Sequence, residues 1–356
     1  MQLAFCLFHY FPYGGLQREC LALAKACQAQ GAQIHVITTH WQGEIPPEFQ
    51  LHLVAKKGHR NHTQMQHYAQ AVAQVTKKNH FDSVIGFNKI SGLDVYFAAD
   101  NCAAEKYAHT LKRFIPGSRA RTYIQLEKAV FNGQTQILFL NEQQASIYQK
   151  HYGKAYPYRT LPVHIDPQFQ HPTTQTRRQD KYCLLFIATA PYVKGLDRVL
   201  LALQALPDTL KKQCELKVVG SDPAMLKWPV FMPHTKNLHI ECLGSRSDIP
   251  VLMQQAHLLL HPARQEAGGL VLIEAAASGL PVITSAECGY AEILKETQTG
   301  IVLPLPFQQE AFNQALLQSL NNPQQWQTMH NHGLAYGQDP HLYQQHQQTA
   351  QWLCQR

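Results

Sequence analysis

Two parallel α/β sheets of Rossmann type, one in each half of the chain, are predicted by three observations. Short apolar, β-rich runs alternate with amphipathic stretches along the whole sequence, the pattern of parallel strands joined by crossover helices. The stretch from Tyr158 to Arg178 breaks that alternation, carries Pro162, Pro167 and Pro172, and has neither helical nor strand periodicity, so it reads as an interdomain linker. The 356 residues are enough to bury two cores.

In the first half the strand runs are Leu3–Phe8, Ile34–Thr38, Ser83–Phe87, Val95–Ala99 and Ile137–Leu140. The first lacks a basic start and leads through Gly14-Gly15 into a helical pattern, which fits a core strand better than a signal peptide. In the second half the runs are Tyr182–Ala188, Leu216–Gly220, Leu238–Leu243, Leu258–His261, Val282–Thr284 and Ile301–Leu303. The domains are therefore expected at residues 1–165 and 166–339, followed by a polar segment, about 340–356, of helical tendency.

Composition narrows the function classes. Hydrophobic residues make up 45% and charged residues 15%, with 15 Tyr, 15 Phe and 4 Trp, which is the make-up of an ordered globular protein. No run approaches the ~18 apolar residues that span a bilayer. The net charge of +7 and pI near 8.9 suggest an anionic partner: nucleic acid, a phosphorylated substrate or an anionic membrane surface. Nine scattered cysteines form no Cys-x-x-Cys pair, which argues for reduced thiols in a cytoplasmic protein and against a zinc site or a disulfide scaffold.

Ligands in open α/β sheets bind beyond the carboxyl ends of the strands, so the residues just after each strand are the candidates for chemistry. The strongest signal is His261-Pro262-Ala263-Arg264-Gln265-Glu266-Ala267-Gly268-Gly269-Leu270-Val271-Leu272-Ile273-Glu274, continuing as Ala275-Ala276-Ala277-Ser278-Gly279-Leu280-Pro281-Val282. Gly268-Gly269 suggests that a helix begins between the two carboxylates, with Glu266 in the loop and Glu274 inside the helix. A Gly-rich turn at a helix N-terminus offers backbone N–H groups and a positive dipole end to a phosphate, and a carboxylate in that helix can accept two ribose hydroxyls. A bare pair of glutamates at this spacing fits an ordinary solvated helix better; the flanking His-Pro and Ala-Ala-Ala-Ser-Gly-Leu-Pro-Val turn the balance toward a nucleotide-sugar site.

Three further blocks follow strands. Lys194-Gly195-Leu196-Asp197-Arg198 opens a helix just past the first strand of the second half, where a lysine can neutralise a diphosphate leaving group; alone, such a Lys-Gly pair is a weak signal and usually a solvated helix start. Phe11-Pro12-Tyr13-Gly14-Gly15 lets a ligand approach the backbone or simply makes a tight turn. No Gly-x-Gly-x-x-Gly follows that strand, which disfavours a nicotinamide or flavin enzyme. Asp100, at the end of Val95–Ala99, is the best carboxylate for orienting a hydroxyl, with a helix N-cap as its alternative role.

The Glu266–Glu274 block resembles the Glu-x7-Glu signature of retaining glycosyltransferases of family 4, which have the GT-B fold of two Rossmann-like domains facing each other across a cleft. Together with Gly86-Phe87-Asn88-Lys89, Gly92 to Cys102, Ala104-Glu105-Lys106, Leu259 to Ala263 and Cys288-Gly289-Tyr290-Ala291, the chain is similar to the lipopolysaccharide core glucosyltransferases, from Leu3 to about Leu320. The resemblance implies retaining, metal-independent transfer of a hexose, glucose in these relatives, from a UDP-sugar co-substrate to a heptose of the lipopolysaccharide core acceptor. It assigns catalysis to Glu266, Asp100 and Lys194. Glu266 is expected at the donor hexose, Glu274 at the ribose, and Gly14, Gly15 and Lys194 at the diphosphate. Ala267 and the Gly268, Gly269, Leu270 and Val271 backbone are expected at the phosphate and sugar, Gly244 and Arg246 at the uridine, and Asp100 beside the transferred sugar or acceptor. It also implies that the C-terminal helix packs back onto the first domain. Two departures stand out: Pro162-Val163-His164-Ile165 replaces a Pro-x-Gly sequence, and Val193 stands where relatives carry an arginine before the lysine.

No Asp-x-Asp occurs, so a metal clamp and other cofactors are not expected. Rival readings are a UDP-sugar 2-epimerase, which shares the domain plan, and a non-catalytic sugar-, anion- or nucleic-acid-binding protein. Lys194, Glu266 and Glu274 argue against nucleic acid as the partner. The region from Glu105 to Phe131 interleaves Lys106, Lys112, Arg113, Arg119, Arg121 and Lys128 with apolar residues. It is expected to hold the protein peripherally on the anionic cytoplasmic face of the inner membrane, the alternative being a solvated helix pair.

Overall fold

A computed structural model describes residues 1–12, 14–108, 117–170 and 181–356. The chain divides into two compact units, one formed by Met1–Val163 with Gln344–Arg356 and the other by His164–Tyr343.

The first unit contains β1 (Gln2–Cys6), α1 (Gly15–Ala29), β2 (Gln33–Thr38), β3 (Phe49–Leu53), α2 (Asn61–Lys78), β4 (Ser83–Gly86) and β5 (Val95–Ala98). It continues with α3 (Ala103–Ala108), α4 (Ser118–Val130), β6 (Gln136–Phe139), α5 (Glu142–Tyr152) and β7 (Tyr158–Thr160). Its strands form one parallel sheet in the order β3-β2-β1-β4-β5-β6-β7. Side chains alternate along β1: Leu3 and Phe5 enter one apolar cluster, Ala4 and Cys6 the other. A parallel sheet covered on both faces needs this continuous apolar run.

The second unit contains β8 (Tyr182–Ile187), α6 (Leu196–Gln204), α7 (Asp208–Gln213), β9 (Cys214–Val219), β10 (His239–Gly244), α8 (Ile249–Gln255) and β11 (Leu258–His261). Then come α9 (Leu270–Ala277), β12 (Val282–Ser285), α10 (Ala291–Glu296), β13 (Gly300–Leu303), α11 (Gln309–Leu320) and α12 (Pro323–Tyr336). The parallel order is β10-β9-β8-β11-β12-β13. The last helix, α13 (Gln345–Cys354), belongs to the first unit, where Ala350 and Leu353 join the core beneath α1 and His346 Nε2 lies 2.9 Å from Glu19 Oε2.

Two strands escape the sequence pattern. Tyr158–Thr160, expected within the linker, pairs with β6 in the register Ile137↔Tyr158; three residues at a sheet edge are too few to show a period. Phe49–Leu53 is the opposite edge and mixes Gln50 and His52 among its apolar residues, so its signal is equally weak. Among the described residues no helix is long and apolar enough to cross a membrane.

Candidate active site

In both sheets the strand order reverses beside the first strand, between β1 and β4 and between β8 and β11. The connections leaving those strands diverge there and open a crevice at their carboxyl ends. In the second unit the two segments that flank this point are the turn after β8, which carries Lys194, and the turn after β11, which carries Glu266. Residues 72 apart in sequence are thus brought together: the Lys194 ammonium pairs with Glu266 Oε2 and donates to the Gln265 carbonyl at 3.3 Å.

Both turns are held rigidly. Gly195 has φ +85°, and a Cβ there would stand 2.1 Å from the Pro262 carbonyl oxygen, so only glycine lets the lysine turn lie against the end of β11. Arg264 ties the two turns together. Its backbone N–H donates to the Val193 carbonyl at 2.8 Å, its guanidinium donates to both Asp197 oxygens at 2.7 and 2.6 Å and to the Tyr192 carbonyl, and it lies 4.1 Å over the Tyr192 ring. Arg198 donates to the Pro262 and Ala263 carbonyls. The Glu266 backbone bridges to Cys288, with Gly289 N–H donating to the Glu266 carbonyl and Tyr290 N–H to that of Gly268.

The Glu266 side chain is 18% exposed and that of Lys194 22%. Burial alone would raise the Glu266 carboxyl, but the neighbouring His261 imidazole and the Lys194 ammonium outweigh it and hold the group down at about 2. Glu266 is therefore a carboxylate throughout the physiological range. Helix α9 starts at Leu270 after Gly269 (φ +98°), so Gly268, Gly269, Leu270 and Val271 form the end whose N–H groups lack intrahelical partners. Ala267, just before them, is buried, and Glu274 lies inside α9 at 6% exposure. Gly244 ends β10, on the far edge of the same sheet, and Arg246 follows it and makes a bidentate pair with Asp248 at 2.8 and 2.6 Å.

In the first unit Gly14 and Gly15 start α1 beside the reversal point, where Phe8 N–H donates to Asn88 Oδ1 across it at 2.7 Å. Asp100 follows β5 and is exposed, and its carbonyl accepts from Gln144 and Tyr148. The helix-capping alternative for Asp100 is overturned: the Ala103 and Ala104 N–H groups at the start of α3 donate instead to the buried Glu127 of α4, at 2.8 and 3.1 Å, and Lys89 balances that carboxylate. Lys106, Arg119, Arg121 and Lys128 are exposed on α3 and α4; Lys112 and Arg113 lie outside the described residues, as do Arg177 and Arg178, the linker cations that could replace the arginine missing at Val193. Sequence reasoning missed Arg264, Asp197 and His261. Asp197 and Arg264 meet across 67 residues, which no local spacing signals, and His261, only five residues before Glu266, gave no sign of facing that carboxylate because it closes an apolar strand run.

Paired doubly wound sheets, the second with a lysine–carboxylate pair and a glycine-started helix at its reversal point, define a two-domain α/β transferase of the GT-B fold. A glycosyl transferases group 1 profile matches residues 168–334. The chain is 37% identical to the lipopolysaccharide glucosyltransferase WaaG of Escherichia coli (strain K12) over 336 residues, 90% of either chain. It superimposes on the crystal structure of WaaG, a glycosyltransferase involved in lipopolysaccharide biosynthesis, with a TM-score of 0.93 at 35% identity, covering 98% of this chain and 99% of that one. A sucrose-phosphate synthase from Thermosynechococcus elongatus shares the fold, with a TM-score of 0.82 at 18% identity, covering 99% and 98%. The chain belongs to the glycosyl transferases group 1 family.

Proposed function

We propose that the chain transfers glucose from UDP-glucose, with retention of configuration, to a heptose of the lipopolysaccharide inner core. The observation that carries this is the Lys194–Glu266 pair at the β8/β11 reversal point, next to the start of α9. Lys194 meets the charge that grows on the departing diphosphate, and the first turn of α9 offers N–H groups and dipole to the same phosphates. Glu266, ionised and held from one side, accepts a hydroxyl of the hexose; Glu274 takes the ribose. No side chain in this arrangement is needed as a covalent nucleophile. The leaving phosphate oxygen takes the acceptor proton on the face from which it departs, so the new bond forms with retention. Asp100 serves the acceptor from the first unit, with Gly14 and Gly15 beside the diphosphate and Gly244 with Arg246 at the uridine.

The acceptor is anchored in a membrane, and the exposed cations on α3 and α4 support peripheral contact of this region with the anionic inner leaflet. A panel of UDP-hexoses against a truncated core acceptor, with NMR of the product, tests the reading. An α-linked hexosyl heptose made from UDP-glucose is expected; UDP-hexose interconversion without acceptor, or no UDP release with any donor, would refute it.

A further inference from the structure

We infer that His261 is a positioning residue that fixes the rotamer of Glu266, an inference that rests on the donor-site reading above. His261 ends β11, and its side chain is 1% exposed. Such a position in a core strand normally takes an apolar residue, because an imidazole brings two polar nitrogens out of water. Phe186 packs nearly parallel to the ring at 6.4 Å between centroids, so the space suits an aromatic hydrocarbon. Neither ring nitrogen has a hydrogen-bond partner among the described residues. Nε2 nevertheless points at Glu266, 3.5 Å from Oε2. A shift of the carboxylate by about half an ångström would close this to a hydrogen bond, and contacts of this kind in active sites commonly tighten when substrate is seated.

The strand end leaves the ring little freedom. The His261 carbonyl accepts from Thr284 Oγ1 at 2.8 Å and from the Ala263 N–H at 2.8 Å, and Ser285 Oγ donates to the Ala263 carbonyl at 2.7 Å. Lys194 and His261 converge on the same carboxylate oxygen, and Oε1 of Glu266 has no partner among the described residues. The Nε2–H tautomer donates to Oε2, the lysine clamps the same atom, and Oε1 stays oriented toward a sugar hydroxyl. Lysine alone cannot do this once it also serves the diphosphate, since its ammonium on a flexible stem follows the phosphate charge.

The experiment compares wild type with His261→Phe, which keeps the ring shape and removes the donor, and His261→Gln, whose side-chain amide restores an N–H near Nε2. Calorimetry measures Kd for UDP and for UDP-glucose, and steady-state assays measure kcat. The Phe variant is expected to bind UDP within about twofold of wild type, to lose the additional affinity that the hexose confers, and to lower kcat about 10- to 100-fold, the effect of misplacing a first contact by a fraction of an ångström to 1 Å. The Gln variant should recover most of both. Unchanged hexose discrimination and kcat in His261→Phe would overturn the inference, and so would equal losses in Phe and Gln variants that melt like wild type, since shape rather than the donated hydrogen bond would then matter. Failure of wild type to bind UDP would instead overturn the donor-site reading on which it rests.

Discussion

Lys194→Ala tests the site most directly. The ammonium is a quarter or less exposed and already engaged by Glu266, so it works in a partly desolvated setting, where two unit charges about 4 Å apart interact by about 4 kcal/mol at an effective dielectric constant of ~20. A diphosphate that gains most of one charge as the anomeric bond breaks draws about 3 kcal/mol more from Lys194 in the transition state than in the ground state, less the share that Glu266 retains. At 1.36 kcal/mol per decade this is roughly a 10²-fold effect, the lower end of the 10²- to 10³-fold seen on removing one charge-stabilising group. Lys194→Ala should therefore lower kcat about 10²- to 10³-fold. Lys194→Arg should keep part of the rate through charge alone, though a planar guanidinium cannot repeat the contacts to Oε2 and the Gln265 carbonyl. Single-turnover release of UDP at saturating donor separates this loss from binding. A Lys194→Ala enzyme within about threefold of wild type would remove the lysine from the chemistry and with it the principal support for the donor site.

Other outcomes follow from the same geometry. Glu274→Ala should act mainly on donor KM, because a ribose contact is the same in ground and transition states; Glu266→Ala should lower kcat and leave UDP affinity nearly unchanged, and normal turnover in it would contradict its assignment. Glu266 is depressed in the folded protein to about 2 from an ordinary 4.5, so its contribution to stability is present above the ordinary value and lost as pH falls toward the folded one. Between about pH 6 and pH 3 the linkage amounts to about 2 kcal/mol, and urea midpoints should fall less steeply over that window in Glu266→Gln than in wild type. Val193 is 40% exposed, and the nearby Arg264 and Arg198 are committed to Asp197 and to backbone carbonyls. Val193→Arg should thus tighten UDP binding by about 1–2 kcal/mol, the scale of one charge-assisted hydrogen bond, and calorimetry without a gain would show the phosphates already neutralised. Sedimentation with anionic vesicles should exceed that with neutral ones and fall with salt; equal sedimentation would refute the membrane contact.

Local chemistry determined much of this molecule. Apolar runs such as Leu258–His261, too short for helices and followed by glycine or proline, can only be buried parallel strands, so the α/β plan was legible along the chain. Gly268-Gly269 marked the start of α9 and separated the loop glutamate from the helical one, because a glycine at φ +98° ends one conformation and begins another. Lys194 was readable as a residue just past a strand end. That Lys194 and Glu266 touch was decided by strand order: β8 and β11 are neighbours only because β9 and β10 were laid down on the other side. The same holds for Glu127, which caps α3 from 24 residues away, and for Arg264, which locks onto Asp197 across 67 residues. Periodicity reports which face of an element is buried; it carries no information about which turn another turn will meet. Partners of charged and polar groups across the sheet were therefore fixed only when the chain closed on itself, and His261, apolar by position and polar by chemistry, acquired its meaning from a carboxylate on the next loop.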